Sequence, residues 1–140
     1  MHPPSATAIL FGLAASTLAN PIAQCKGNGA SVNAALQAKV QGTINSWLGD
    51  INTVNNFVDT VGGLQDPAQI SQLAATAFKS AQDEGASNTA LQKDVQLDAQ
   101  GLDAAKALLG QFNIIGPAIN DTIFNPGNVK KNLAAINGAR

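Results

Sequence analysis

Val40, Ile44, Trp47, Ile51, Val54, Val58 and Val61 recur along the chain at alternating spacings of four and three. Residues so spaced share one face of a helix, so the pattern predicts a long helix with a single apolar seam. Gly42, Gly49, Asn52, Asn55 and Asn56 lie behind the seam and form a side suited to water. Ser31 is a suitable N-cap and Gly62-Gly63 a suitable stop, which places this helix between Ser31 and Val61.

The next helix has a clear start signal. Asp66 can cap, Pro67 sits at the first helical position where its missing N–H costs nothing, and Gln69 completes a capping box. Ile70, Leu73, Ala74, Ala77, Phe78 and Ala81 form its inner face, and Gly85 is its expected end. Ser87 or Asn88 then caps a third helix running to about Phe112, with Leu91, Val95, Ala99, Leu102, Ala105, Leu109 and Phe112 as its stripe. Gly116-Pro117 and Asn125-Pro126-Gly127 divide the remainder in two. One segment runs from Pro117 to Phe124 with Ile119 and Ile123 inward, the other from Asn128 to Asn137 with Val129, Leu133 and Ile136 inward. No stretch of useful length alternates with a period of two. The expected fold is all-α: an up-and-down bundle of about four helices, the last one broken, filling residues 31–140.

Ahead of the bundle, residues 1–19 read as a signal peptide. An apolar run from Ala6 through Ala15 is followed by Thr17 and Ala19 at the minus-three and minus-one places, which predicts cleavage before Asn20. The run is far shorter than the roughly 20 residues of a membrane span. Residues 20–30 (NPIAQCKGNGA) lack periodicity and read as a flexible arm. This arm holds Cys25, the only cysteine, an unpaired thiol that is free, modified or joined to another chain. Ile22-Ala23-Gln24-Cys25 is similar to a bacterial lipoprotein box, although Gln24 is larger than the small residue such a box carries.

Composition narrows the function classes. Only 12% of the 140 residues are charged and the formal net charge is −1, so there is no basic stripe to displace counterions from a phosphate backbone. Nucleic acid is excluded as a partner, as is recruitment to anionic lipid by charge alone. His2, the only histidine, falls in the signal peptide, so the remaining chain has no material for Ser-His-Asp or Cys-His catalysis or for a histidine metal site. Asp94 with Asp98, and Asp83 with Glu84, are close enough to share a proton or a calcium ion. They read instead as solvated surface, because no further oxygen ligands or Gly-centred loop accompany them. No cofactor, metal or catalytic residue is expected.

Two further features stand out. Trp47 reads as a core residue, on condition that its indole N–H finds an acceptor. Asn120-Asp121-Thr122 is an N-linked glycosylation pattern, usable in a secreted chain. Seams of alanine opposite Leu, Ile and Phe can leave unfilled volume, and Gly116-Pro117 offers a hinge. Trp47, Ile51, Phe78, Leu102, Leu109, Phe112, Ile115 and Ile119 are therefore the expected lining for an apolar ligand.

Three stretches, SWLGDINTVNNFVDT (Ser46–Thr60), TAFKSAQDEGASNTALQKDV (Thr76–Val95) and FNIIGPAIND with the closing NLAAINGAR, carry a family likeness. Together with the signal peptide and the lone cysteine, they resemble small alanine- and asparagine-rich helical proteins secreted by filamentous fungi. More loosely, the chain is similar to the hydrophobic surface-binding and cell-wall mannoprotein family. That resemblance implies a helical domain that adsorbs to apolar surfaces or encloses lipid at the cell exterior. It assigns no functional residue here.

The sequence thus points to a secreted, non-enzymatic protein that binds an apolar surface or lipid-like ligand. The alternative is an interaction protein that engages a host or wall protein through its helix faces. N-terminal sequencing of protein recovered from culture medium is expected to begin at Asn20 or within a few residues of it. Intact Met1 on a folded cytosolic product would refute the extracellular assignment.

Overall fold

A computed structural model describes residues 34–140. The stretches read from the sequence as a signal peptide and an arm with Cys25, and the expected Ser31 cap, lie outside the described residues. Among the described residues four helices follow one another: α1 (Ala34–Thr60), α2 (Pro67–Asp94), α3 (Ala99–Phe124) and α4 (Val129–Ala139). Short 3-10 turns at Val61–Gly63 and Pro126–Asn128 follow α1 and precede α4. The helical bundle expected from the patterning is therefore present, with its boundaries redrawn in two places.

The first change is at Gly85, which does not end a helix. α2 runs 28 residues straight through it, because one seam continues on both sides: Ile70, Ala74, Ala77, Ala81, Glu84 and Asn88 are all buried. A glycine inside a helix costs about 1 kcal/mol relative to alanine, less than burial of a continuous face returns. The break falls instead at Val95–Asp98, so the stripe assigned to one helix is split between α2 and α3. Asp98 caps α3, its carboxylate accepting from the Gly101 N–H at 2.7 Å.

The second change is at Gly116-Pro117, which does not break the helix. Both residues lie inside α3, which continues to Phe124. Proline normally forces its predecessor out of the helical region through a clash with that residue's Cβ, and Gly116 has none. Pro117 and Asn113 are both exposed, so the Asn113 carbonyl deprived of its donor lies on the solvent side. Ala118, Ile119 and Thr122, all buried, hold the turns beyond the proline against the core.

At the start of α2 the expected Asp66 cap and Pro67 are present, with the cap bond going to Ala68 rather than to the Gln69 of a capping box. Asp66 accepts from the Ala68 N–H at 2.9 Å and Pro67 occupies the first turn. The other end of α2 is tied to α1 by the Lys39–Asp94 ion pair at 2.7 Å.

Helix length decides where the core lies. The three long helices span about 40 Å each, whereas the 11 residues of α4 span about 16 Å. α4 covers one end only, packing on α3 and reaching the turn after α1, where a Cβ built on Gly62 would sit 3.1 Å from Leu133 Cδ1. The main apolar cluster occupies this four-helix end, built on Phe57, Val61, Ala74, Ala77, Ile119 and Ile136, each no more than 1% exposed. In the other half three helices meet without a fourth. Val40, Ile51, Val95 and Ala105 are buried there outside the main cluster, and the α2 seam turns polar at Glu84 and Asn88.

Phe57, not Trp47, is thus the aromatic anchor. It is 1% exposed, whereas Trp47 is only half-buried. Phe57→Ala is expected to cost about 3–5 kcal/mol of unfolding free energy, as for other enclosed aromatics. Chemical denaturation checks this, and Trp47→Ala should cost distinctly less.

Candidate functional site

The eight residues expected to line an apolar site do not gather around one interior volume. Ile115 and Ile119 belong to the main core, Phe78 packs against it, and Ile51 is buried in α1. Trp47 and Phe112 are half-buried. Leu102 and Leu109 face outward at 42% and 41% exposure. The inner register of α3 instead runs through Ala105, Leu108, Phe112, Ile115, Ile119 and Thr122, and Gly101 extends it toward the cap. A glycine at a seam position shifts the apparent stripe to its neighbour Leu102, which explains the misplaced pair.

The outward residues form the first feature of interest. Every exposed large hydrophobic residue among those described lies on α3: Leu102, Leu109, Ile114 and Phe124, the last 73% exposed. At about 100° per residue, Leu102, Leu109 and Phe124 fall within about 60° of one another, with Ile114 on the flank. The stripe runs about 33 Å along the helix. Charge along it is sparse, since α3 carries only Asp103, Lys106 and Asp121. Asp103 and Lys106 face each other at 3.9 Å, both largely exposed.

The second feature is polar and enclosed. Glu84 is not solvated surface, as its place beside Asp83 suggests; it is 3% exposed because it occupies a seam position of α2. Asp83 lies outside the seam and pairs with Lys79 one turn away. Asp94 bonds Lys39 and Asp98 caps α3. Across from Glu84 the Trp47 Nε1–H is buried and completes no hydrogen bond, so the acceptor expected for it is missing. It nevertheless lies near enough to the Glu84 carboxyl to favour the ionised form. Desolvation is larger and pushes Glu84 up to about 7, with Asp50 adding to the rise and Arg140 opposing it. One turn on, Asn88 is 2% exposed, donating to the Ala105 carbonyl at 3.4 Å and accepting from Gln92 at 3.2 Å.

Between its ordinary value of 4.5 and about 7, Glu84 keeps in the folded chain a proton that the unfolded chain has released. Stability therefore falls as pH rises through that window, by about 3 kcal/mol in all, and levels off above it.

A third cluster joins α3 to α4. Asp121 accepts from Asn125 at 2.8 Å, Asn128 at 3.0 Å and Asn132 at 2.8 Å, and these three bonds hold its carboxyl below the usual range. Its contribution has the opposite sign: present at neutral pH, it is lost as pH falls through the lowered value. Asn132 uses its second amide hydrogen on the Thr122 hydroxyl at 3.0 Å, and that hydroxyl donates to the Ala118 carbonyl at 2.9 Å. The Asn120 glycosylation pattern thus sits inside a helix, with Asn120 half-buried and Thr122 fully buried. In the folded chain the Thr122 hydroxyl is committed to internal partners. Sequence reasoning missed this cluster, although Asp121, Asn125, Asn128 and Asn132 follow a four-three-four spacing across the Pro-Gly turn.

Among the described residues no group of three or more His, Cys, Asp or Glu could hold a metal ion, and no helix is long and apolar enough to cross a membrane. No protein-family model, curated protein or solved structure matches the chain.

Asn132→Ala removes a buried donor that serves two acceptors. It is expected to cost about 1–3 kcal/mol, and thermal unfolding of the variant beside the parent measures it. A loss under about 0.5 kcal/mol would show that α4 is held by its apolar contacts alone.

Proposed function

We propose that this chain is a secreted, non-enzymatic protein that adsorbs through the outer face of α3 to an apolar surface or lipid-like layer at the cell exterior or wall. The observation that carries the reading is the confinement of Leu102, Leu109, Ile114 and Phe124, the exposed large hydrophobics among the described residues, to one helix. Isolated surface hydrophobics are ordinary, whereas a run of them along one element marks a contact face. The stripe is long and shallow, and Ile115 and Ile119 beneath it are occupied in packing, which suits an extended surface better than an enclosed small molecule.

Sparse charge fits the same reading. Bringing an ionised group to an apolar phase carries a large desolvation cost, which neutral Asn, Gln and Thr reduce. Six helical threonines, at 43, 53, 60, 76, 89 and 122, already donate their hydroxyl to the carbonyl four residues earlier. The looser resemblance of the sequence to the hydrophobic surface-binding and cell-wall mannoprotein family points the same way.

The stripe is also one helix wide, the width that a partner's helix covers, and this favours a wall or host protein as the second reading.

Adsorption to alkyl-coated beads and to uncharged lipid vesicles separates the two. Leu109→Gln with Phe124→Gln is expected to lower the adsorbed fraction several-fold, with stability changed by no more than about 1 kcal/mol. Retention should change little with salt. Adsorption no greater than that of an ordinary globular control, before any substitution, sinks the surface reading and leaves the protein-partner reading in front.

A further inference from the structure

Glu84 is the one charged residue among those described that is nearly enclosed, and the surface reading makes no use of it. It lies on the α2 seam between Ala81 and Asn88, where α1 faces it with Trp47 and Asp50. α3 brings the Ala105 backbone to the next turn through Asn88, and its nearby charges, Asp103 and Lys106, are exposed and pair with each other. Arg140 is the cation that acts on the carboxyl, and its guanidinium is already bonded to the Asn55 side chain. The carboxyl therefore meets a buried indole N–H that completes no hydrogen bond, a like charge on the opposing helix and a positive charge held elsewhere.

We propose that Glu84 is a proton-operated latch on the three-helix half of the bundle. With the carboxyl protonated, α1 stays seated on α2 at Trp47; with it ionised, this half loosens and water reaches the carboxylate. The location makes the response local. The main apolar cluster is centred on the four-helix end and includes neither Trp47 nor Glu84, its nearest member on α2 being Ala81 one turn away, so the four-helix end stays folded while the latch opens. The 11 residues of α4 pack on α3 and the turn after α1 and are too few to run the length of the long helices, so that only Arg140 just beyond its end acts on the carboxyl. Asp50 opposes ionisation of Glu84, and the Trp47 N–H and Arg140 assist it, so the midpoint is set by groups on both sides of the α1–α2 seam.

The chain contains one tryptophan and no tyrosine, so its intrinsic emission reports on this contact. Titration of the folded, full chain from about pH 5 to about pH 9 is expected to give a reversible red shift of Trp47 emission and readier quenching by acrylamide. A single midpoint near 7 is expected, from desolvation of the carboxyl together with its neighbours. Glu84→Gln should hold the low-pH emission throughout. Asp50→Asn should retain the transition and move its midpoint to lower pH, because the like charge is gone. Flat emission in the parent chain overturns the proposal, as does the same transition in Glu84→Gln. Should Glu84→Gln fail to fold, an unmoved midpoint in Asp50→Asn overturns it. The readout is independent of adsorption, so the latch and the α3 contact face stand or fall separately.

Discussion

The close approach of helices to the alanine stripe of α2 is the constraint on which the bundle rests. Ala74 and Ala77 are fully enclosed and Ala81 nearly so, and α2 packs against both α1 and α3. Small side chains let neighbouring backbones come near, but each buries little area beside the roughly 1.5–3 kcal/mol of a full Leu or Ile. The larger contributions come from what closes over the stripe: Phe57 from α1, Val61 from the turn after it, Ile115 and Ile119 from α3, and Ile136 from α4. Residues of all four helices meet at that end. At the other end the stripe meets only two neighbours, and there α2 carries Glu84 and Asn88 where apolar residues would otherwise stand.

This asymmetry separates the two features of functional interest. The exposed stripe of α3 runs along the outside of the bundle, past both ends, and depends on α3 staying one uninterrupted rod through Pro117. The enclosed carboxyl sits on the inside, where the loss of the fourth helix thins the core. One feature needs rigidity and the other needs a part of the molecule that can yield.

Much of the architecture was legible because apolar periodicity reports burial directly. The α1 seam, the Asp66-Pro67 start of α2 and the Asn125-Pro126-Gly127 break can all be read from local chemistry. Phe57 was overlooked because it adjoins Val58, which already fitted the four-three pattern. The α2–α3 boundary was misread because Glu84 and Asn88 occupy seam positions. Polar residues there interrupt an apolar pattern without interrupting the helix, so Gly85 passed for a stop. Gly101 hid the true register of α3 in the same way, and the stripe slipped onto Leu102 and Leu109. The slip itself was informative, since two leucines off the seam are the residues left outside. The Asp121 cluster carried no apolar signal at all. Hydrogen bonds among side chains four, seven and eleven residues apart depend on how the turn folds back, which spacing alone does not specify.

The confinement of the main core to one end also bears on how the chain moves as a whole. A bundle whose apolar cluster is evenly spread opens as one unit, whereas unequal burial divides it into parts with different opening free energies. Amides of α1 near Phe57 and of α3 near Ile119 are shielded by the cluster and are expected to exchange only on global unfolding. Those near Thr43 and Lys106, outside the main cluster, are expected to exchange through partial openings that leave the other end intact. Burial is thus graded along the molecule, dense where four helices meet and thinner where three do.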